Sequence, residues 1–475
     1  MKTTFLSALI LFSASATALS QNRFDALRYT QTLPLFDPAS MAMGGATAGL
    51  TADAGSFLVN PAGMALAGKS YFYFGLGNRD VSEDATYRGN LSSFSDNQTG
   101  ISNIGFVFKA PTNVGSLVMG AGYAQSADFN RAYSVSAYNT ATSITDFLLN
   151  STSDQYNGTA FDAYAIDADD FGQFTVYDGA GGFAGADQYV EYFERGQMGE
   201  YSLFFATEFQ QNLFVGVSLG LPAGQYSYRR AFLEEDINGL YTTQPFDVDA
   251  ITVEDRIDAS IRGFNARIGL LYKPADFAKV SLSYTSATRY EVNESYSTYI
   301  QTDFKSFDVD GNNSYWAETP GEITYRILAP ARFNAGVSFE TGPLTIAASA
   351  ERLDYSAIDM SGFGVAGDRD ERRLIRRDFT DVTNLRLGAS YKLGQNILRG
   401  GYGINQSPHR VDDLGSQFVS GGVTIDLGNE FALDLGVQYM TRTDNQALYN
   451  TGTLTETVSS NVSRFNTMIG VRVGF

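Results

Sequence analysis

The sequence predicts an all-β protein, an antiparallel transmembrane β-barrel of about fourteen strands with an N-terminal hatch inside its lumen. Three observations carry that expectation. Beyond residue 68, segment after segment alternates apolar with polar residues, the signature of strands with two different faces. The chain combines 48 Gly, 28 Tyr and 35 Phe with 11 Pro, 1 Trp, 1 His and no Cys at a hydrophobic content of 44%, the balance of a barrel whose lipid-facing and lumen-facing residues alternate. Tight connections also alternate with long polar ones, as in a barrel with short periplasmic turns and long external loops.

The first stretch, 1–20, reads as an export signal, with Lys2 as its positive end, an apolar region over 5–12 and the small-residue cleavage site Ala18-Leu19-Ser20. The mature chain is expected to begin at Gln21. Residues 21–68 form the hatch, organised around 40–64, where Gly44, Gly45, Gly49 and Gly55 lie among alanines and Asp53 is the only charge. Small residues let backbone pass close to backbone, and Asn60-Pro61 interrupts local structure. The span 41–59 is long enough to cross a bilayer, but its glycines, Asp53 and hydroxyl residues leave too little continuous apolar surface. Inside a lumen, Asp53 becomes a partner for arginines such as Arg332 or Arg386.

Residues 69–475 form the barrel. Its strands are expected near 70–88, 100–110, 116–137, 198–210, 213–233, 251–273, 279–299, 320–340, 343–358, 373–393, 396–406, 415–428, 430–444 and 457–475. The last is the clearest. Phe465, Thr467, Ile469, Val471, Val473 and Phe475 share one face, and Asn466, Met468, Gly470, Arg472 and Gly474 the other. Charges on the second face would be costly in a dry core and favour a lumen. The longest connection, an extracellular loop at about 139–197, exceeds a bare loop. Short helices are expected over 144–149 and 187–195. They gather Phe147, Leu148, Leu149, Tyr189, Tyr192 and Phe193 near the barrel mouth, either as a lid packed on itself or as a landing site for an apolar ligand.

A net charge of −19 from 52 acidic and 33 basic residues excludes a nucleic-acid partner. Acidic loops around Asp162, Asp167, Asp169, Asp170 and Asp178 match no calcium loop and read as solvated surface. Without cysteine there is no disulfide, thiolate metal site or lipid-bearing N-terminal cysteine. Neither a metal nor a cofactor is expected. Ser407-Pro408-His409 holds the lone histidine, which the proline and loop position make unsuited to catalysis, so no catalytic residue and no enzyme is expected. Arg372, Arg373, Arg376 and Arg377, with Arg369, form one basic cluster, open to pairing with neighbouring acids, to lipopolysaccharide phosphate or to a ligand carboxylate.

The hatch run Met43-Gly44-Gly45-Ala46, the motif Asn60-Pro61-Ala62, the start Phe24-Asp25-Ala26-Leu27-Arg28-Tyr29 and the run Pro330-Ala331-Arg332-Phe333 together resemble the FadL/TodX family of outer-membrane transporters for hydrophobic compounds. The resemblance spans the mature chain, although its specific motifs are short. It implies a bacterial outer-membrane location, monomers surrounded by lipid and lipopolysaccharide, and a hydrophobic small-molecule ligand, fatty acid-like or aromatic. It further implies passive uptake by loop capture, hatch movement and lateral release beside a kinked third strand. Here that strand carries Gly120, Gly122, Ser126 and Asp128; its glycines mark either a kink or room for the plug. Relatives that serve as surface-protein shuttles in type IX secretion supply the alternative, an interaction protein.

Overall fold

The computed structural model describes residues 23–33, 36–47, 50–51, 53–170 and 172–475, so the expected export signal lies outside the described residues. Fourteen antiparallel strands close into one barrel. They are β1 (Tyr71–Tyr87), β2 (Asn90–Ala110), β3 (Leu117–Asp128, continuing as Arg131–Asn139), β4 (Ala186–Gln210), β5 (Leu213–Glu235), β6 (Val248–Ala275) and β7 (Ala278–Thr285, continuing as Arg289–Phe304). The circuit continues through β8 (Ser314–Leu328, then Arg332–Thr341), β9 (Leu344–Asp354, with Asp359–Ser361), β10 (Asp381–Leu393), β11 (Asn396–Asn405), β12 (Ser416–Gly428), β13 (Phe431–Asn450) and β14 (Thr455–Gly474). Pairing of β1 with β14, from Tyr71 opposite Gly474 to Thr86 opposite Ser459, closes it. No described helix is long and apolar enough to cross a membrane; the crossing elements are the strands.

Alternation sets the two faces. Along β6, Phe264, Ile268, Leu270 and Tyr272 face outward and are 45–54% exposed, whereas Asn265, Arg267 and Leu271 face inward and are buried. The outer face turns polar beyond Phe264, at Arg262, Ser260 and Asp258, so the strands continue past the apolar band as a hydrophilic wall. Long connections cluster at that end, and the start of β1 and the end of β14 lie at the other.

Two expectations fail at the loop end. The segment expected as a helix over 187–195 is the start of β4, paired with β3 and β5. Its aromatic and β-branched content satisfies strand period two as well as a helical stripe, and two neighbouring strands decide the outcome. Residues 373–378, expected in the tenth strand, instead end helix α5 (Gly364–Asp378). The expected helix over 144–149 is present as α3 (Ile144–Asn150), begun by a capping box of Ser143 and Asp146, and α4 (Asn157–Asp162) follows it.

The N-terminal segment, expected as the hatch, contains α1 (Arg23–Thr30) and α2 (Pro38–Ala42), followed by 3₁₀ helices at Ser56–Leu58 and Pro61–Leu66. Its seat is a floor of wall glycines. Side chains added at Gly470 or Gly436 would meet Pro38, one at Gly422 would meet Ala42, and one at Gly401 would meet the backbone of Met43 and Gly44. Across the lumen, Gly216 faces Pro61 and Ala62, and Gly269 faces the Asn60 amide. Asn60 is fully buried. Its side-chain oxygen caps Ala62 N at 3.0 Å, while its Nδ2 donates to Leu270 O at 3.1 Å and Leu282 O at 3.2 Å, tying the turn to β6 and β7. Gly44 itself adopts φ +64, a left-handed conformation that a larger residue resists.

Replacing Gly401 with leucine is expected to lift the α2 side of the hatch while the barrel still folds, because a core that must admit extra methylenes loses roughly 1–3 kcal/mol. Limited proteolysis of the hatch beside a heat-modifiability gel checks it. Unchanged hatch protection in a folded G401L barrel would contradict the glycine seat.

Candidate functional site: a seam in the barrel wall

The barrel ladder has one break with consequences for access. β2 and β3 pair regularly from Ala110 opposite Leu117 to Asn103 opposite Ala124, and no further. Above that point β2 pairs with β1, and the 131–139 continuation of β3 pairs with β4. The β3–β4 register also shifts between Gln125 and Ala127. A strand that leaves its neighbour exposes backbone donors and acceptors, which inside a membrane need partners from the protein.

Those partners come from the lumen. Leu33 N donates to Ser126 O at 2.8 Å, so the hatch segment itself pairs with the kinked strand. Arg464 on β14, buried, donates to Asp128 O at 3.1 Å and Asn130 O at 3.2 Å. Arg79 on β1 bonds Gln125 and lies 3.7 Å from the Asp128 carboxylate. Across the seam, Asn130 donates to Gln98, and Asn90 Nδ2 donates to Ser136 O at 2.9 Å. Side chains therefore bridge β2 and β3 where main-chain pairing has ended.

The N-terminal segment is pinned along its length. Arg23 pairs with Asp378 at 2.5 Å, Arg28 with Glu194 at 2.6 Å, and Arg332 donates to Thr30 O at 2.6 Å. Tyr29 packs edge-on against Phe129 and Tyr226. Phe129 lies between the two lengths of β3, so the segment fills the inner side of the break. Below it is a small polar chamber of ≈ 70 Å³ whose lining includes Thr32, Ser126, Glu200, Arg267 and Arg332. Outside, on the same β3–β4 wall, Gly122, Tyr123, Ser202 and Leu203 help to line an apolar hollow of ≈ 660 Å³ open to the lipid side.

The residues singled out in the sequence divide among these features. Gly44, Gly45, Asp53, Asn60, Pro61 and Ala62 lie in the hatch, but Asp53 meets neither expected arginine. Arg386 is engaged by Leu385 O, Ile404 O and Asn405, and Arg332 by the 30–32 segment. The basic group lining the recess around Asp53 is Arg472, which pairs with Asp434 at 3.0 Å. Gly120 and Gly122 remain within the regular ladder, making room for Phe204 and Tyr73, whereas Ser126 and Asp128 lie in the break. Phe147, Leu148 and Tyr192 are buried in the aromatic core of the upper lumen, with Leu149 packed against it. Strand alternation sends Tyr189 and Phe193 to the outer wall instead, where Tyr189 donates to Glu191 and Phe193 meets Phe94. The six residues therefore form no single patch.

Arg372, Arg373 and Arg377 on α5 pair with Asp359, Asp370 and Asp378 at 3.0, 3.2 and 2.6 Å; Arg376 lies on the same helix. His409 lies against Phe24 and Phe379, and Ser407 Oγ donates to the His409 and Asp412 carbonyls, not to the imidazole. Sequence reasoning missed Leu33, Arg79 and Arg464. The only signal for the two arginines was charge on a lumen-facing strand position, which many residues share, and Leu33 carried none.

Residues 207–473 match the family described as outer membrane protein transport protein (OMPP1/FadL/TodX). The fold is similar to the crystal structure of the P. putida toluene transporter TodX, with TM-score 0.56 and 15% identity over 93% of this chain and 99% of that one. It is likewise similar to a Pseudomonas aeruginosa FadL homologue, with TM-score 0.55, 13% identity and 94% and 98% coverage. The Ralstonia pickettii toluene transporter TbuX gives TM-score 0.51, 16% identity and 93% and 99% coverage. Sequence comparison with curated proteins finds no match.

One hatch carboxylate is set to respond to pH. Asp37 accepts from Ser40 N at 2.9 Å, Ser40 Oγ at 2.5 Å and Gly55 N at 2.8 Å, joining two hatch turns. Burial, then repulsion from Asp53, pushes its pKa up to about 6 from 3.8, against the opposing pull of the Ser40 bonds. A carboxyl raised on folding favours the protonated form, so its contribution to hatch stability grows as pH falls through about 6 and levels off below 3.8. Hydrogen exchange at the Gly55 amide, corrected for its intrinsic pH dependence, should slow between pH 7 and 5, and Asp37→Asn should flatten that trend. Faster corrected exchange at pH 5 would reverse the assigned sign.

Proposed function

This chain belongs to the outer membrane protein transport protein family (OMPP1/FadL/TodX), and from that premise we propose that it takes up hydrophobic small molecules, fatty acid-like or aromatic, and releases them sideways into the bilayer. The observation that carries this reading is the seam. β2 and β3 part beyond Asn103 and Ala124, an apolar hollow lies outside that wall, and the hatch-borne segment fills its inner side.

Sideways release has a plain driving force. An apolar solute gains about 0.8 kcal/mol per CH₂ on leaving water for lipid, whereas passage through the hatch would return it to water. External loops collect the ligand first. It then displaces Tyr29 from between Phe129 and Tyr226, which withdraws Leu33 from Ser126 and frees the seam. Movement at the hatch and opening of the wall are thus one event. The partners on this reading are the ligand and the surrounding outer-membrane lipid, lipopolysaccharide included, with the barrel working as a monomer. The family match supports transport rather than catalysis, and nothing in it favours the alternative of a type IX secretion shuttle.

The chain has no cysteine, so a paired Gln98→Cys/Asn130→Cys variant can test the route without background thiols. Oxidation should lock β2 to β3 and reduce uptake of toluene or a long-chain fatty acid into proteoliposomes to background, with recovery on reduction. A locked seam that still passes both solutes would overturn lateral release.

A further inference from the structure

The outer wall carries a feature that uptake does not use. At the level where the apolar band ends on the loop side, most strands show amides and hydroxyls. Examples are Asn78 on β1, Thr99 on β2, Gln225 on β5, Thr441 on β13 and Ser463 on β14. Four consecutive strands differ. Their first outward polar positions are Arg262 on β6, Arg289 on β7, Arg326 on β8 and Arg352 on β9.

Register brings three of them together. Arg262 and Arg326 both lie opposite Glu291, one on each side, and Arg289 lies opposite Phe264 and Leu328, the last apolar residues of the neighbouring strands. Directly opposed side chains in antiparallel strands stand ~5 Å apart, so three guanidinium groups border a single carboxylate. Arg326 is 3.8 Å from Glu291, its side chain 76% exposed. Arg352 is engaged by Asp381 and Thr383. Among the described residues Arg262 and Arg289 have no ion pair. In a chain of net charge −19, this sector is locally cationic at the lipid–water boundary.

We propose that Arg262, Arg289 and Arg326 seat the phosphate group of an outer-leaflet glycolipid, whose acyl chains run down over Phe264 and Leu328. Guanidinium forks match phosphate geometry and give charge-assisted bonds. The position selects a lipid over a soluble anion: the arginines stand at the top of an apolar wall, so one ligand must satisfy charge above and hydrocarbon below. Arg352, held by Asp381, flanks the site. The α5 arginines singled out in the sequence are by contrast mostly paired with acids on or near their own helix. This assignment is independent of the seam, and each stands if the other fails.

The test uses the full barrel in detergent and native mass spectrometry with added bisphosphorylated lipid A, dephosphorylated lipid A and inorganic phosphate. Wild type should retain the phosphorylated lipid, and the triple variant R262S/R289S/R326S should lose affinity on the order of a hundredfold, the sum of three interfacial cation contributions. R229S/R256S, higher on the same wall, should leave retention unchanged. If the triple variant fails a heat-modifiability check, R262Q and R289Q singly should each weaken retention severalfold. Equal retention of phosphorylated and dephosphorylated lipid, equal retention by wild type and variant, or inorganic phosphate binding as tightly as the lipid would each overturn the proposal.

Discussion

The structure depends on close contact of backbone with backbone at the bottom of the lumen. Fourteen strands enclose more space than inward side chains alone can fill, so the interior needs another occupant. The hatch meets that need because both surfaces are stripped at the points of approach. Gly401, Gly422 and Gly436 face α2 and the turn after it, and Gly216 and Gly269 face the Asn60-Pro61-Ala62 turn. Hydrogen bonds then fix position within that fit. Asn60 reaches carbonyls on two strands, and Ser283 Oγ donates to Val59 O at 2.7 Å. Without the glycine floor these donors would stand too far from their acceptors.

The same segment that plugs the lumen also completes the wall. A strand leaving its neighbour inside a membrane is costly because its backbone groups lose their partners. β3 escapes that cost through Leu33 on the hatch and Arg464 on β14, which bond its backbone, while Arg79 on β1 holds the Gln125 side chain. The seam is accordingly a supported feature with a removable part. The arginines stay with the barrel, while Leu33 belongs to a segment held by Arg23, Arg28 and Tyr29 to loops and upper strands. Displacing that segment removes a backbone hydrogen bond from the kink and packing from Phe129 together. On the proposed route, hatch movement and wall opening would be coupled through covalent continuity, with no separate signal between them.

Most of the fold was legible in the sequence because a barrel writes itself in period two. The final strand, with Phe465 to Val473 on one side and Arg472 on the other, could be read residue by residue. The reading failed where two periods fit one segment. In 187–195, alternation and a helical stripe are both satisfied, and only the flanking strands, distant in sequence, choose. That single difference scattered the expected aromatic patch, turning Tyr189 and Phe193 away from Tyr192. The hatch was legible as small residues with Asn-Pro-Ala, but its electrostatic partner was not. Asp53 shares its recess with Arg472, itself paired with Asp434, and not with Arg332 or Arg386, because depth along the barrel axis, which sequence spacing does not encode, sets which groups meet in a lumen. Arg464 and the outer-wall arginines were likewise invisible as groups, since register across strands creates them.

On the proposed route an apolar ligand crosses the wall at β3 and never passes the hatch base. A photoreactive toluene analogue supplied outside sealed vesicles, followed by peptide mapping of the labelled barrel, tests this directly. Label is expected on the lumen-facing residues Gln125 and Ser126 and on Tyr123 and Tyr201 outside, with none at Asp53 or Asp434. Label reaching Asp53 and Asp434 while Gln125 and Ser126 remain clean would contradict it.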